Sequence, residues 1–203
     1  MLFSTFRLIF WGIVFGVCFN WIKKSNLVNK RRFLVILPVV ITILCTVSAL
    51  IPIENAFVTF PSPESSYNYN KPGKVSMVIE GEETDFVLGI KGEDSIMAII
   101  PKSDNGWKLG MGFDTKRVFL TVSGEISIRV YRYKNSDDYY IGVHDMNGYI
   151  LEITDNHGDE FKCFKKNTNN MYFENACTYY AYINDFNDQY ILTVNGKEID
   201  FKN

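Results

Sequence analysis

The stretch FLVILPVVITILCTVSALIPI, residues 33–53, contains 21 residues and no charged side chain. At about 1.5 Å per residue, a helix of this length crosses the roughly 30 Å hydrocarbon core of a membrane. Residues 1–53 hold six Lys or Arg and no acid, whereas residues 54–203 hold 15 cations and 23 acids, a net charge of −8. The stretch therefore predicts a membrane span that separates a basic, apolar beginning from an acidic remainder.

A second apolar run at residues 2–22 predicts a companion span. Residues 23–32 between the two runs carry five cations, so the positive-inside rule predicts that this loop is cytoplasmic and that the remainder of the chain lies outside the cytoplasm. Arg7 is charged but lies within the first run, and we expect its side chain to extend to the membrane interface. Residues 1–53 are thus predicted to form a two-helix transmembrane hairpin in the plasma membrane.

Processing of the second span is the competing interpretation. Val47-Ser48-Ala49 resembles a signal-peptidase site, which would permit cleavage after Ala49. A cleaved signal does not normally begin behind another apolar run, so we favour the uncleaved span. The sequence contains no Asn-x-Ser/Thr acceptor for N-glycosylation, which favours a bacterial source.

The remainder of the chain is typical of a β-domain. Residues 54–73 are rich in Pro, Ser and Asn and predict a linker or stalk. Residues 74–203 alternate apolar and polar side chains in short runs separated by turn residues. Asn195-Gly196 is the signature of a type I′ hairpin, and we expect similar hairpins at Ser123-Gly124 and Asn147-Gly148. The prediction is one antiparallel all-β domain, either a sandwich or an open barrel.

Two histidines, His144 and His157, are available for acid–base chemistry. The sequence contains no Gly-x-Ser-x-Gly, His-Glu-x-x-His or Cys-x-x-Cys motif, which counts against familiar hydrolase, metalloprotease and redox sites. His144 and Asp145 are adjacent, so on a strand their side chains point to opposite faces. We therefore favour a non-enzymatic protein without a cofactor; the alternative is an ectohydrolase that acts on envelope material with His144 or His157.

Arg129, Tyr131 and Tyr133 occupy alternate positions and share one face of a predicted strand, opposite aliphatic residues. If this aromatic strip is exposed, it is suited to binding a sugar ring or a protein surface. If it is buried, it supplies half of the core. Both interpretations stay open at this point.

A polar turn contains Asp155, His157 and Asp159, whose oxygen and nitrogen atoms are suitable ligands for a cation such as Ca²⁺. The turn lacks the spacing of an EF-hand, and an ordinary solvated turn is the competing interpretation. Cys163 and Cys177 are the two cysteines outside the predicted spans. If their strands pair, they can form a disulfide that closes a loop of about 15 residues; otherwise they are separate buried thiols.

These patterns predict a membrane-anchored, extracytoplasmic β-domain that acts as a binding module or an accessory subunit at the cell envelope. The expected partners are the lipid bilayer and either another envelope protein or a cell-wall glycan. Nucleic acid is not expected, because binding to its phosphates requires clustered cations and residues 54–203 are acidic.

Overall fold

The computed structural model describes residues 2–26, 28–50, 52–71, 73–110, 114–165, 177–199 and 201. The chain divides into two compact units, Met1–Val58 and Thr59–Asn203. The first unit is helical, and the second is built mainly from antiparallel strands. This division confirms the predicted combination of long apolar helices and a β-domain.

Two helices make up most of the first unit. Helix α1 spans Leu2–Lys24, α2 spans Lys30–Leu50, and a short 3₁₀ helix follows at Ile53–Ala56. Both α-helices are long and apolar enough to cross a membrane. Large apolar side chains on their outer surfaces are exposed, as lipid-facing side chains would be. The segment between the helices is shorter than the predicted loop at 23–32, because helical structure continues into both of its ends.

Arg7 does not extend away from the helices as we expected. Its Nε and Nη2 atoms each donate a hydrogen bond of 3.0 Å to the Glu54 carboxylate, which is fully buried. Close by in sequence, Trp11 Nε1 donates to Ser48 Oγ at 2.9 Å. Breaking a buried ion pair typically costs roughly 3–5 kcal/mol, since one charge is left uncompensated. The Arg7–Glu54 pair therefore holds α1 against the 3₁₀ helix that follows α2.

The second unit contains twelve strands in the part of the chain that the structure describes. They are β1 (Lys74–Glu80), β2 (Thr84–Lys91), β3 (Asp94–Ser103), β4 (Gly106–Trp107), β5 (Thr115–Ser123), β6 (Ile126–Tyr133), β7 (Tyr139–Asp145), β8 (Ile153–Asp155), β9 (Lys162–Lys165), β10 (Cys177–Ile183), β11 (Leu192–Val194) and β12 (Lys197–Ile199). They form three antiparallel sheets with the orders β1-β2-β3-β4, β5-β6-β7-β10-β9 and β12-β11-β8. One sheet curves as a half-barrel.

The five-stranded sheet is the central layer, because both of its faces are covered. Ile128 and Val130 of β6 enter one core, which Leu192 closes from the three-stranded sheet. On the opposite face, Tyr140 of β7 packs against Phe86 of β2. Side chains of successive strand residues point to opposite faces, so a strand buried on both faces needs apolar or aromatic residues in both alternating sets.

A helix, α3 at Pro63–Asn70, occupies the segment that we expected to be a stalk. Ser62 and Ser65 form a capping box in which each side chain accepts the backbone N–H of the other at 3.2 Å. Tyr67 is fully buried, and its hydroxyl donates to the Ile96 carbonyl at 3.0 Å. The segment is therefore part of the packed β-unit.

Two of the three predicted hairpins are present. Asn195-Gly196 joins β11 and β12, with φ values of 52° and 77° that suit a type I′ turn. The second hairpin joins β5 and β6, but its turn is Gly124-Glu125, one residue later than predicted, because Ser123 belongs to β5 and pairs with Ile126. The prediction for Asn147-Gly148 is wrong: β7 pairs with β6 and β10, whereas β8 pairs with β11 in another sheet. The residues between β7 and β8 therefore pass from one sheet to the next.

A buried carboxylate, Asp138, connects the β1–β2 turn to the five-stranded sheet. Its oxygens accept the backbone N–H groups of Glu82, Glu83 and Thr84 at 2.6–3.1 Å. They also accept the Thr84 hydroxyl at 2.8 Å and the Tyr182 hydroxyl at 2.9 Å. Asp138 is 1% exposed, so these groups replace the water that would otherwise solvate it. This arrangement, the Asp138 latch, holds the two larger sheets together at one end.

We predict that Asp138→Ala lowers the free energy of unfolding by roughly 3 kcal/mol, because it leaves three backbone N–H groups without their acceptor. Pulse proteolysis of the detergent-solubilised full chain across a urea gradient measures this change. Asp137→Ala removes an exposed carboxylate next to it and is expected to change stability by no more than about 0.5 kcal/mol. Equal unfolding midpoints for the two variants would contradict the stabilising role of the Asp138 latch.

Candidate functional site

An open cleft of about 300 Å³ lies on the face of the five-stranded sheet that also packs against the four-stranded sheet. Three adjacent strands supply hydrogen-bonding side chains to it: Arg129 from β6, His144 from β7 and Thr178 from β10. The strand register places Ser127, His144 and Thr178 side by side. Ser95 of β3 contributes from the other sheet. Arg129 and His144, which the sequence suggested for different purposes, thus line the same cleft.

His144 is half-buried in this cleft, and its Nδ1 atom lies 3.1 Å from the Thr178 hydroxyl oxygen. Burial lowers the pKa of His144; the Asp145 carboxylate opposes this shift, and the Arg129 guanidinium adds to it. The imidazole is therefore neutral at pH 7, with one nitrogen that donates and one that accepts a hydrogen bond. The cleft pairs a permanent cation with a neutral imidazole.

A glycine allows an aromatic ring to line the cleft between these residues. Gly142 of β7 lies opposite Arg129 on one side and Tyr180 on the other. A Cβ atom at Gly142 would lie 2.9 Å from Tyr180 Cε1, so a larger residue would displace the ring. Burial raises the pKa of Tyr180 to about 12, Tyr131 adds to the shift and Arg129 opposes it. The Tyr180 hydroxyl consequently stays protonated and can donate a hydrogen bond.

A second cavity, of about 290 Å³, adjoins the first through Tyr131, which lines both. Lys71 follows α3 and Arg117 lies on β5, and both residues line this second cavity. Met97 and Ile99 of β3 form an apolar wall. Arg117 is paired with Tyr131 across the β5–β6 ladder. We call the two cavities together the groove; it runs between β3 and β6.

The structure divides the predicted aromatic strip. Arg129 is exposed, Tyr131 is half-buried, and both line the groove. Tyr133 instead faces a separate open surface, where its hydroxyl donates to Asp114 at 3.0 Å and Lys134 Nζ lies 5.3 Å from its ring centre. Tyr131 and Tyr133 also pack against the core between the two larger sheets. The strip therefore completes this core, while Arg129 and Tyr131 reach the groove.

The polar turn that begins at Asp155 is organised by internal hydrogen bonds. Asp155 Oδ1 accepts the N–H groups of His157, Gly158 and Asp159 at 2.7–3.1 Å, and Oδ2 accepts the Tyr190 hydroxyl at 3.0 Å. Burial and the neighbouring Asp155 carboxylate raise the pKa of Asp159 to about 6. Among the described residues, no group of three or more His, Cys, Asp or Glu is placed to hold a metal ion. The geometry of this turn therefore does not support the predicted cation site at Asp155, His157 and Asp159.

A disulfide joins Cys163 of β9 to Cys177 of β10, and their Cα atoms are 5.7 Å apart. Cys163 lies opposite Tyr179 in the ladder, so the bond crosses the two strands diagonally. It lies on the face away from the groove, because Phe164 and Thr178 occupy the other face. The bond attaches the edge strand β9 to β10, which carries Thr178 into the groove.

The groove cannot be predicted from the sequence, because its walls come from strands that are distant in the chain. His144 and Thr178 are 34 residues apart, and Lys71 belongs to the segment that we expected to be a stalk. The alternation of Thr178, Tyr180 and Tyr182 indicates that they share a face of β10. It does not indicate that β10 pairs with β7.

The fold and the groove define a class of protein: an antiparallel β-domain with a polar, cationic groove, preceded by two helices apolar enough to cross a membrane. Comparison with protein-family models, with curated proteins and with solved structures finds no match. We therefore infer its function from the residues of this chain.

We predict that His144 titrates below pH 6.5 in the folded chain and that Arg129→Gln raises its pKa, because the substitution removes a neighbouring cation. The imidazole ¹H–¹³C signals of the solubilised full chain measure both values, and His157→Gln leaves one histidine signal to follow. Protonation of His144 is less favourable in the folded state than in the unfolded state. The contribution of neutral His144 to the free energy of unfolding is therefore complete above pH 6.5 and falls as the pH decreases below 6.5. A His144 pKa of 6.5 or higher, or one unchanged by Arg129→Gln, would contradict this geometry.

Proposed function

We propose that this protein is a membrane-anchored binding module of the cell envelope. Helices α1 and α2 cross the plasma membrane, and the β-domain lies outside the cytoplasm, where the groove binds its ligand. The five cations of residues 23–32 support this orientation. The Cys163–Cys177 disulfide also supports it, because disulfides persist in oxidising compartments.

The placement of Arg129 carries the proposal. Its exposed guanidinium, the neutral His144 and the Thr178 hydroxyl meet at one open cleft. In the part of the chain that the structure describes, the ion pairs between cationic side chains and carboxylates involve other residues. A concave site with a few polar groups directed into it is the usual form of a ligand site. These groups are suited to holding and orienting a polar ligand.

Hydrolysis by His144 is the second candidate function, and the hydrogen bond between His144 and the Thr178 hydroxyl favours it, since a nucleophile must contact its base. A catalytic imidazole is normally oriented by a third group. The Asp145 carboxylate instead accepts the N–H of Asn147 at 2.7 Å, and Asp145 and His144 point to opposite faces of β7. Binding without catalysis therefore accounts better for the arrangement.

Photo-crosslinking from Ser95 tests the binding proposal. Ser95 is exposed and lines the cleft beside Arg129, so p-benzoylphenylalanine at this position reaches a bound ligand with little effect on the core. Asp94 precedes it on β3, is also exposed and points to the opposite face. Irradiation of cells that express the full chain is expected to give an adduct from position 95 and not from position 94.

Arg129→Ala is expected to reduce the position 95 adduct at least fivefold, while the same substitution leaves the unfolding midpoint unchanged because Arg129 is exposed. Adducts of equal yield from positions 94 and 95, or a position 95 adduct that does not depend on Arg129, would overturn the proposal. If the captured molecule is cleaved by the purified chain and not by His144→Ala, the hydrolase replaces the binding module.

A further inference from the structure

The two cavities of the groove are arranged in line rather than as one pocket. Ser95 and Arg129 line the first, Met97 and Arg117 line the second, and Tyr131 lies between them. Ser95 and Met97 are on β3, and Arg129 and Tyr131 are on β6, so the same two strands form the walls of both cavities. A ligand that fills the groove is therefore extended.

The groove is cationic although residues 54–203 have a net charge of −8. Lys71, Arg117 and Arg129 are among its lining residues, and among the residues that the structure describes no Asp or Glu lines either cavity. The salt bridges of the described residues involve none of these three cations. Clustered cations without carboxylate partners are suited to binding anionic groups, and Arg can bind carboxylate or phosphate through two hydrogen bonds.

The cations are spaced along the groove. Arg129 and Tyr131 are two residues apart on one face of β6, about 7 Å along the strand. Arg117 is paired with Tyr131 across the ladder, about 5 Å away. Arg129 therefore adjoins Tyr131 along the strand and Arg117 adjoins it across the ladder, so an extended ligand in contact with Tyr131 can reach both cations.

The other side chains that line the groove are of the chemical types that bind carbohydrates. Tyr131 and Tyr180 offer aromatic rings, which combine an apolar face with a polar hydroxyl. Ser127, Thr178 and the neutral His144 can exchange hydrogen bonds with sugar hydroxyls. Cavities of about 300 and 290 Å³ are at the lower limit of small-molecule sites. They are too narrow for a folded protein, and their concave shape does not match a flat lipid surface.

We infer that the groove binds an anionic carbohydrate chain, with its carboxylate or phosphate groups at Arg117 and Arg129 and a sugar or polyol unit against Tyr131. This inference rests on the proposed binding function and specifies the chemistry of its ligand. A guanidinium group can bind either a carboxylate or a phosphate, so the experiment below compares ligands that carry each group.

Isothermal titration calorimetry of the full chain in nanodiscs of zwitterionic lipid tests the inference with three probes. They are a galacturonic acid hexamer, a glycerol phosphate hexamer and the neutral chitohexaose. At least one anionic hexamer is expected to bind with a Kd at least tenfold below that of chitohexaose, and the affinity is expected to fall as salt is added. The hexamer that binds more tightly identifies carboxylate or phosphate as the preferred group.

Arg117→Gln and Arg129→Gln are each expected to weaken binding of that hexamer at least tenfold. Lys116→Gln is the matched control, because Lys116 is exposed, adjacent to Arg117 and on the opposite face of β5; it is expected to change the Kd less than twofold. The unfolding midpoint, measured by pulse proteolysis, shows that each variant is folded.

Binding of chitohexaose as tight as that of both anionic hexamers would overturn the inference, as would equal losses for Lys116→Gln and Arg117→Gln. Binding of phosphatidylglycerol vesicles, with no binding of either hexamer, would assign the groove to a membrane surface and also overturn it. The proposed function would survive these results if the Arg129-dependent adduct from position 95 is present, and would fail with the inference if that adduct is absent.

Discussion

The Asp138 latch is the interaction on which the geometry of the groove depends. A carboxylate that is 1% exposed is costly to bury, and here five hydrogen bonds from the β1–β2 turn and from Tyr182 compensate for the loss of water. Tyr140 reinforces the latch, because its hydroxyl donates to the Thr84 carbonyl at 2.7 Å. The two larger sheets are therefore held at the end where β7 begins.

The groove opens at the other end of the same sheet pair. Tyr140 and Phe86 fill the space near the latch with tilted rings whose centroids are 5.4 Å apart, whereas Gly142 and His144, further along β7, leave room for the cleft. Close packing at one end and small or polar residues at the other thus produce a site whose walls belong to two sheets. The fold places Arg129 at this opening, where its side chain is exposed to solvent.

The secondary structure could be predicted from the sequence largely because it is a local property. Alternation marked the strands, and Asn195-Gly196 marked its hairpin through the positive φ that both positions need. The pairing of β7 with β10 could not be predicted, since no turn joins them. Helix α3 has no apolar stripe around Tyr67 that is long enough to show helical periodicity, so the sequence does not distinguish this helix from a linker. The Arg7–Glu54 ion pair could not be predicted, because its two residues are 47 positions apart in the chain.

We propose that a helical hairpin holds the groove outside the cytoplasm, and thiol labelling of the Cys163–Cys177 pair tests on which side of the membrane the β-domain lies. Intact cells that express a Cys18→Ala, Cys45→Ala chain are treated with a membrane-impermeant maleimide, with and without an external reductant. We expect labelling only after reduction, chiefly at Cys163, which is exposed while Cys177 is buried. Labelling that requires permeabilised cells would place the β-domain in the cytoplasm and contradict its proposed position outside the cytoplasm.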